Sequence, residues 1–231
     1  MADYPPPAPG VIEACIAAFR EEHHRIKVFG NGVRDFFATH PTLASGGFPP
    51  IHSVKFRIKD EEHIRSKIIR KKLEENRDIT PDNLFKEITD LAGVRVLHLH
   101  KEQFVQIHKA IEDQIQRGYW FPLEPPTAYT WDPDSSDFFK SLGLPTVIKD
   151  SHYTSVHYVI KPNDMLPTAC EIQVRTLFEE VWGEIDHVIN YPIRTTSVAC
   201  KEELRVLAKM VGAGSRLCEA IFRSHRDFTK K

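Results

Sequence analysis

The chain is organised around Gly93-Val94-Arg95-Val96-Leu97-His98-Leu99, a short and largely apolar run that predicts a buried strand. A helix from about residue 101 to 117 is expected to follow it. Before it, residues 51–59 alternate apolar and cationic side chains, which predicts an earlier strand with one cationic face. Alternating strands and helices of this kind are typical of an α/β fold.

Further elements are expected on both sides of this centre. The spacing of apolar residues predicts helices at about residues 11–38, 60–76, 101–117, 176–190 and 199–226. Two strands, at about 153–161 and 169–175, are close enough along the chain to form a hairpin. Residues 121–150 are rich in Pro, Asp and Ser, which predicts a long loop with one short strand.

The expected fold is therefore α/β (α+β), with a mixed sheet of about five strands flanked by helices. The length of 231 residues suits one large domain with helical additions. We divide the chain into an N-terminal extension and helix over residues 1–50, a core over residues 51–192 and a C-terminal helix over residues 193–231.

The composition is that of a globular protein and gives no sign of a membrane span. Hydrophobic residues make up 41% and charged residues 27%, which is ordinary for a globular domain. The formal net charge of -1 provides no global attraction to nucleic acid or anionic lipid, so any polyanion must bind to a local patch. The four cysteines form no Cys-x-x-Cys pair, and no stretch approaches the length of a membrane span. A cytoplasmic protein without a membrane partner is expected.

The densest cationic region covers the strand at 51–59 and the helix after it. Strand alternation places Lys55, Arg57 and Lys59 on one face. Lys67 and Lys71, one helical turn apart, can return to the same side. Arg offers a planar fork to phosphate oxygens and Lys a movable charge, so this corner suits a bound triphosphate. A solvated helix face is the alternative that the pattern leaves open.

Two isolated carboxylates stand beside apolar strands. Asp90 precedes the central strand, and Glu171 begins the run of the last one. Phosphoryl-transfer enzymes commonly hold Mg²⁺ with one or two carboxylates and the substrate phosphates, and a nearby carboxylate can take a proton from an attacking hydroxyl. The structural alternative is a strand-end cap, or a salt bridge with Arg95 or Arg175.

Tyr153, Ser155 and His157 fall on one face of a predicted strand. A tyrosine ring at a strand start can stack on a purine base, and a histidine two positions further can contact phosphate or ribose. An exposed tyrosine and a hydrogen-bonded structural histidine are the alternative.

The helix at 176–190 has two different sides. One is apolar and expected to pack against the protein; it carries Leu177, Val181, Ile185 and Val188. The other can face a cleft; it carries Glu180, Glu184, His187 and Tyr191. A solvated amphipathic helix is the ordinary alternative.

Four motifs, in this order, together resemble the synthetase domain of the RelA/SpoT family. They are Val54-Lys55-Phe56-Arg57-Ile58-Lys59 with Lys67, then Asp90-Leu91-Ala92-Gly93-Val94-Arg95, then Tyr153-Thr154-Ser155-Val156-His157, then Glu171-Ile172-Gln173-Val174-Arg175-Thr176 followed by Trp182, Glu184 and His187. The resemblance implies a nucleotidyltransferase-like synthetase domain that acts as a GTP pyrophosphokinase. Such an enzyme moves the β,γ-diphosphate of ATP to the 3′-hydroxyl of GDP or GTP, makes (p)ppGpp, releases AMP and uses Mg²⁺.

The resemblance also implies roles for single residues. Residues that would bind the ATP phosphates are Arg57, Lys59 and Lys67, to which the cationic corner adds Lys71. Asp90 and Glu171 would act in catalysis and bind Mg²⁺, with Glu171 as the possible base. Around the acceptor, Tyr153 would stack on guanine, and Lys149 and His157 would contact phosphates. Supporting positions are Arg95, Gln173, Arg175, Glu184 and His187.

Two departures from the family pattern concern the acceptor. His152 stands before Tyr153 where glycine is usual, and Pro192 follows Tyr191 where lysine is usual. The second form resembles standalone and toxin-like members, some of which pyrophosphorylate the 3′ end of tRNA or use adenine nucleotides. A tRNA acceptor would need a basic surface, for which the candidates are Arg194, Lys201, Arg205 and Lys209. A catalytically inactive nucleotide-binding module, a homo-oligomer and an antitoxin partner also remain open.

Overall fold

The computed structural model of the chain describes residues 4–191 and 194–229. Helices in these ranges are α1 (Val11–Ala38), α2 (Glu61–Glu75), α3 (Leu84–Glu87), α4 (Lys101–Gln116), α5 (Pro133–Ser141), α6 (Leu177–Asn190) and α7 (Val198–Thr229). Strands are β1 (Ser53–Ile58), β2 (Ala92–His98), β3 (Phe121–Pro122), β4 (Thr127–Thr130), β5 (Thr146–Ile148), β6 (Ser155–Lys161) and β7 (Cys170–Thr176).

The strands form one mixed sheet, which confirms the predicted fold class. Its order is β1-β2-β7-β6-β4-β5, and β3 pairs beside β6. The pairs β2–β7 and β4–β5 are parallel, and the other pairs are antiparallel. The expected hairpin of β6 and β7 is therefore present. The sheet has seven strands in the described ranges, two more than the number expected.

The prediction of a long loop over residues 121–150 is wrong. This segment holds β3, β4, α5 and β5. The polar residues that suggested a loop begin a helix instead: Asp132 caps α5 by accepting the backbone N–H of Ser135, and Pro133 occupies its first turn. The strands here are two to four residues long, too short to produce a recognisable alternation.

Capping side chains fix the helices that border the site. Asp60 accepts the backbone N–H of His63 at the start of α2, and Asn76 ends that helix in the left-handed conformation with φ of 51°. At the end of β7, Thr176 and Glu179 form a capping box, so α6 begins directly after the strand. These caps fix where the site helices leave the sheet.

The two faces of the sheet have different chemistry. On one face, apolar side chains of β2, β6 and β7 pack against α1, α4 and α5. The strands contribute Val94, Val96, Val156, Ile172 and Val174, and the helices contribute Phe37, Phe104 and Phe139. The intervening residues of the same strands point to the opposite face, where polar and charged side chains dominate. That polar face is covered in part by α6 and α7.

The side of α6 that was expected to pack is largely exposed. Exposed fractions of 50%, 42% and 77% are found at Val181, Ile185 and Val188. Buried instead are Trp182 and Glu180. Trp182 packs against α7 and donates its indole N–H to the backbone oxygen of Leu204 at 2.9 Å. Trp182 thus holds α6 to α7, and Glu180 holds α6 to the sheet.

No helix within residues 4–191 or 194–229 is long and apolar enough to cross a membrane. Pro192 and the domain boundary predicted after it lie outside the described residues.

Candidate active site

Strand register brings the predicted site residues together on the polar face of the sheet. Lys55 of β1 lies opposite Arg95 of β2. Arg95 lies in turn opposite Gln173 of β7, and Gln173 opposite His157 of β6. Four residues that are far apart in the sequence therefore form one row across four strands.

A second row runs parallel to the first, two residues along each strand. Arg57 lies opposite Gly93, and Gly93 opposite Glu171. A Cβ added at Gly93 would have Arg57 as its nearest neighbour, at 3.7 Å. Since glycine has no side chain, an open space remains between the Arg57 guanidinium and the Glu171 carboxylate.

Asp90 lies just before β2 and holds two lysines. Its carboxylate is 3.0 Å from Nζ of Lys59 and 2.8 Å from Nζ of Lys67. Burial alone would raise the pKa of Asp90, but the two ammonium groups outweigh it and lower the pKa from 3.8 to about 2. Asp90 is therefore ionised at neutral pH, and its oxygens face two predicted ATP-binding cations.

Glu171 is the second ionised carboxylate. One oxygen is 3.1 Å from Nδ1 of His157, and the other accepts from Nε2 of Gln173 at 2.6 Å. Burial raises the pKa of Glu171, but the hydrogen bond and charge of His157 outweigh it, so the pKa lies below its usual value. Nε2 of His157 is 2.9 Å from the Tyr153 hydroxyl. Tyr153, His157 and Glu171 thus form one hydrogen-bonded chain.

Glu180 is a functional candidate for which no role was predicted. It is only 3% exposed, and its carboxylate lies 2.8 Å from Nζ of Lys55 and 3.2 Å from Nη1 of Arg95. It also pairs with Arg175, while Glu184 pairs with Arg95. The signal in the sequence was its position on the polar side of α6, although its three partners come from different strands.

Gly183 makes room for the buried guanidinium of Arg175. A Cβ added at Gly183 would lie 2.6 Å from Nη1 of Arg175, a distance that real Cβ contacts do not show. The guanidinium carbon of Arg175 is in turn 5.8 Å from the ring centroid of Tyr153, within cation–π range. Gly183 therefore acts on Tyr153 through Arg175.

A cleft of about 660 Å³ opens over this face, bordered by α6 and by the start of α7. Its lining includes Arg57, Tyr153, Gln173, Arg175 and His187 among the predicted residues. A smaller adjoining cleft of about 270 Å³ shares Arg57 and His187 with it. Predicted donor and acceptor residues therefore line the same cleft.

Three aromatic rings stand at one end of this cleft. His187 stacks on Tyr191 with ring centroids 4.8 Å apart, and the ring of His63 from α2 lies 5.1 Å from Tyr191. Burial lowers the pKa of His187, and the nearby charge of Arg57 acts in the same direction. The polar side of α6 thus faces the cleft as predicted, and Tyr191 bridges α6 to α2.

Seven predicted residues line neither cleft: Lys59, Lys67, Lys71, Asp90, Lys149, His157 and Glu171. Lys71 donates to the backbone oxygen of Glu87 at 2.8 Å and lies 3.5 Å from its carboxylate. Nζ of Lys149 lies 4.6 Å from the ring centroid of Tyr129, and that ring is 4.9 Å from the ring of His157. Tyr129 was missed because it belongs to the segment predicted as a loop.

The donor set suits the predicted metal. Mg²⁺ is bound by one or two carboxylates together with phosphates and water, and Asp90 and Glu171 are both ionised oxygen ligands. The charge of Asp90 also acts on Glu171 and raises its pKa. In the part of the chain that the structure describes, no group of three or more His, Cys, Asp or Glu residues is arranged to hold a metal.

Comparison with solved structures identifies the same fold in other proteins. Small alarmone synthetase 1 from Bacillus subtilis is 22% identical, with a TM-score of 0.59 over 95% of this chain and 98% of that chain. Its structure bound to its product pppGpp is 22% identical, with a TM-score of 0.57 over 93% and 96%. A GTP pyrophosphokinase family protein from Streptococcus pneumoniae is 20% identical, with a TM-score of 0.54 over 90% and 89%.

Sequence comparison identifies the family. No curated protein sequence matches the chain. The sequence model of the region found in RelA / SpoT proteins matches residues 56–196, more than half of the chain. That range contains the last three motifs and the first motif from Phe56 onward, so the chain belongs to the RelA/SpoT family.

Proposed function

We propose that the protein is a pyrophosphokinase that transfers the β,γ-diphosphate of ATP to the 3′-hydroxyl of GDP or GTP and releases AMP. The observation that carries the proposal is a pair of ionised carboxylates, Asp90 and Glu171, beside a cationic cleft in a RelA/SpoT chain. Support also comes from the fold shared with a synthetase whose structure contains the product pppGpp.

In the proposed reaction the acceptor 3′-oxygen attacks the β-phosphorus of ATP. A new P–O bond forms, the bond from the β-phosphorus to the oxygen bridging the α-phosphorus breaks, and AMP leaves with that oxygen. Glu171 accepts the hydroxyl proton, which its lowered pKa permits because the carboxylate is ionised at neutral pH. His157 and Gln173 hold the two carboxylate oxygens and so orient this base.

The cations of the first two motifs are assigned to the donor. Arg57 lines the cleft directly, while Lys59 and Lys67 hold Asp90 and are assigned to the same phosphates. Lys71 is also assigned to the ATP phosphates, but as a more distant contact, because its ammonium group already pairs with the Glu87 carboxylate. When bound, Mg²⁺ would neutralise charge on the transferred phosphates, with Asp90 and Glu171 as its protein ligands. Catalysis is then mainly positioning and charge neutralisation.

The acceptor is assigned to the β6 end of the first row, where His157 lies. Tyr153 would stack on the base, with His157 and Lys149 near the ribose and phosphates. Arg95, Arg175 and Glu184 are assigned supporting roles because they belong to the ion-pair network around Glu180.

The test is a panel of acceptors with ATP labelled at the γ-phosphate. Label in GDP and GTP, with equimolar AMP, is expected. Label in tRNA would indicate the toxin-like alternative, and label in adenine nucleotides the adenine alternative. Unchanged ATP with every acceptor, together with measurable nucleotide binding, would indicate the inactive binding module and contradict the proposal.

Tyr153→Ala is expected to weaken acceptor binding by about 1 to 3 kcal/mol, the usual scale of stacking between a base and an aromatic ring. Tyr153→Phe keeps the ring but removes the hydroxyl that meets His157 at 2.9 Å. Phe should therefore restore the acceptor KM while leaving kcat below that of the wild type. Steady-state kinetics with GDP and ATP varied separately would measure both effects. An unchanged acceptor KM in the alanine variant would remove the stacking role.

Gly183→Ala should displace the Arg175 guanidinium, because the new Cβ would lie 2.6 Å from Nη1. We expect roughly a tenfold rise in the acceptor KM, the loss of about 1.4 kcal/mol of binding. Alanine favours a helix over glycine by about 1 kcal/mol, which offsets the cost of moving Arg175 in the unfolding free energy. The matched control is Gly32→Ala in α1, where an added Cβ meets nothing within 4 Å. If the two variants have the same acceptor KM, Gly183 does not position Arg175 for binding.

A further inference from the structure

The cations on the polar face of β1 differ in what holds them. The sequence places Lys55, Arg57 and Lys59 on a single face that suits a triphosphate. In the structure, Nζ of Lys55 donates to the buried carboxylate of Glu180 at 2.8 Å. In the part of the chain that the structure describes, no carboxylate comes within 4.0 Å of the Arg57 guanidinium. Two positions of one strand face therefore present a paired cation and a free one.

Glu180 binds three cations from three strands. Besides Lys55 of β1, it lies 3.2 Å from Nη1 of Arg95 of β2 and pairs with Arg175 of β7. Burial raises the pKa of Glu180, but the charges of its partners outweigh burial, so the carboxylate is ionised at neutral pH. Glu180 is 3% exposed, and a buried charge that loses its partner is costly. Its three partners are therefore held away from other anions.

Glu184 adds a second acid one helical turn further along α6. It pairs with Arg95, so two acids hold this arginine. The smaller cleft of about 270 Å³ is lined by Lys55, Arg57, Arg95 and Glu184 together. A triphosphate that enters this cleft meets all three cations. Of the three, Arg57 is the one free to bind it.

The paired and the free cations belong to different rows of the sheet. The first row contains Lys55, Arg95 and Gln173, and the second contains Arg57 and Glu171. The rows are two residues apart along the strands, a distance of about 7 Å. A triphosphate bound to the first row would thus be displaced by about 7 Å relative to the proposed base, which must lie within about 3 Å of the proton that it takes. The choice of row therefore decides whether transfer can occur.

We propose that Glu180 is a positioning residue for the donor: by holding Lys55 and Arg95, it keeps the ATP triphosphate off the first row and directs it to Arg57 in the second. This inference rests on the proposed function for the identity of the donor. It gives a role to a buried acid that the proposed reaction does not otherwise use. Free arginine and lysine side chains both bind phosphate oxygens, so the cations alone do not select a row. The buried acid provides the selection.

Chemical labelling of Lys55 tests this placement without turnover. The protein is treated with an amine-acetylating reagent, with and without ATP and Mg²⁺, and mass spectrometry measures the acetylation of each lysine. In the wild type, ATP should change the rate at Lys55 less than about twofold, because Glu180 retains the ammonium group. In Glu180→Gln, ATP should protect Lys55 about fivefold or more, because the released ammonium group binds phosphate. Lys27, exposed on α1, is the internal control and should react at one rate throughout.

The same variant separates binding from catalysis. Calorimetry without an acceptor should show that Glu180→Gln binds ATP at least as tightly as the wild type. The single-turnover rate at saturating ATP and GDP should fall about a hundredfold, the scale expected for a misplaced substrate. Damage to the fold alone would instead weaken ATP binding and leave Lys55 unprotected. Glu21→Gln makes the same change at an exposed position of α1 and should keep the wild-type Kd and rate.

A second comparison leaves Glu180 in place, so it holds even if Glu180→Gln does not fold. Arg57→Met should raise the ATP KM about tenfold or more, and Lys55→Met less than about threefold. Equal rises would overturn the proposal, as would protection of Lys55 by ATP in the wild type or a wild-type rate in Glu180→Gln. If the labelling and binding results are as expected but the wild type makes no 3′-diphosphate, the proposed function fails and the placement of ATP by Glu180 stands.

Discussion

Replacing Glu171 with glutamine is expected to lower kcat for diphosphate transfer by two to four orders of magnitude, the usual contribution of a general base. Glutamine keeps the volume of the side chain, and its carbonyl oxygen can still accept a hydrogen bond from His157. It cannot accept the proton of the acceptor hydroxyl. The substrate KM values should therefore change much less than kcat.

Single-turnover rates at saturating ATP and GDP measure this effect directly. The matched control is Glu21→Gln, which makes the same change at an exposed position of α1. The pKa of Glu171 lies below its usual value of 4.5, so the titration of this group should not lower the wild-type rate at any pH above that value. If Glu171→Gln keeps more than about a tenth of the wild-type rate, a loss under roughly 1.4 kcal/mol, then Glu171 is not the base.

Asp90→Asn is expected to remove nearly all activity and also to destabilise the protein. The lost activity follows from the loss of a metal-binding charge beside the donor phosphates. The lost stability follows from Lys59 and Lys67, which pair with this carboxylate at 3.0 and 2.8 Å. Lys59 has only 9% of its side chain exposed, so removing its partner leaves a buried charge unpaired.

The stability effect has a defined size and pH window. The folded pKa of Asp90 is about 2, against an unfolded value near 3.8, so its ionised form stabilises the fold by about 2 kcal/mol at neutral pH. A lowered folded pKa means that this contribution is fully present above about pH 4 and is lost as the pH falls towards 2. Urea unfolding of wild type and Asp90→Asn should therefore differ at pH 7 and converge near pH 2.

Activity and stability must be separated for this variant. Rates should be measured over a range of Mg²⁺ concentrations, well below the unfolding temperature of the variant. The folded variant is then compared with the folded wild type. Lys67→Gln provides a partner control, because it removes one ion pair of Asp90 but keeps the carboxylate. Equal activity of Asp90→Asn and wild type in the folded state would contradict the metal-binding role.

Much of the fold could be predicted because its central elements have strong local signals. The apolar run of β2, the alternation of β1 and the helical spacing of α1 each identify an element without tertiary information. The hairpin of β6 and β7 followed from the short connection between two strand patterns. These elements carry both rows of site residues, so most of the candidate site could be predicted along with them.

The rest depends on contacts between residues far apart in the chain. Glu180 pairs with Lys55 and Arg95, which are 125 and 85 positions away, and no local pattern reports such pairs. The two to four residues in each of β3, β4 and β5 are held by pairing with neighbouring strands rather than by their own sequence. Val181 and Ile185 mark an apolar side of α6, but the sequence does not say whether that side packs inward.

The most direct test of the central claim is the identity of the adenine product. Purified protein incubated with ATP, GDP and Mg²⁺ should form AMP in a 1:1 ratio with a guanosine product whose added phosphorus atoms are on the 3′-oxygen. Anion-exchange chromatography measures the ratio, and ³¹P NMR locates the diphosphate. AMP and the 3′-diphosphate in equal amounts are the predicted result; ADP with a singly phosphorylated acceptor, or ADP with inorganic phosphate, would contradict diphosphate transfer.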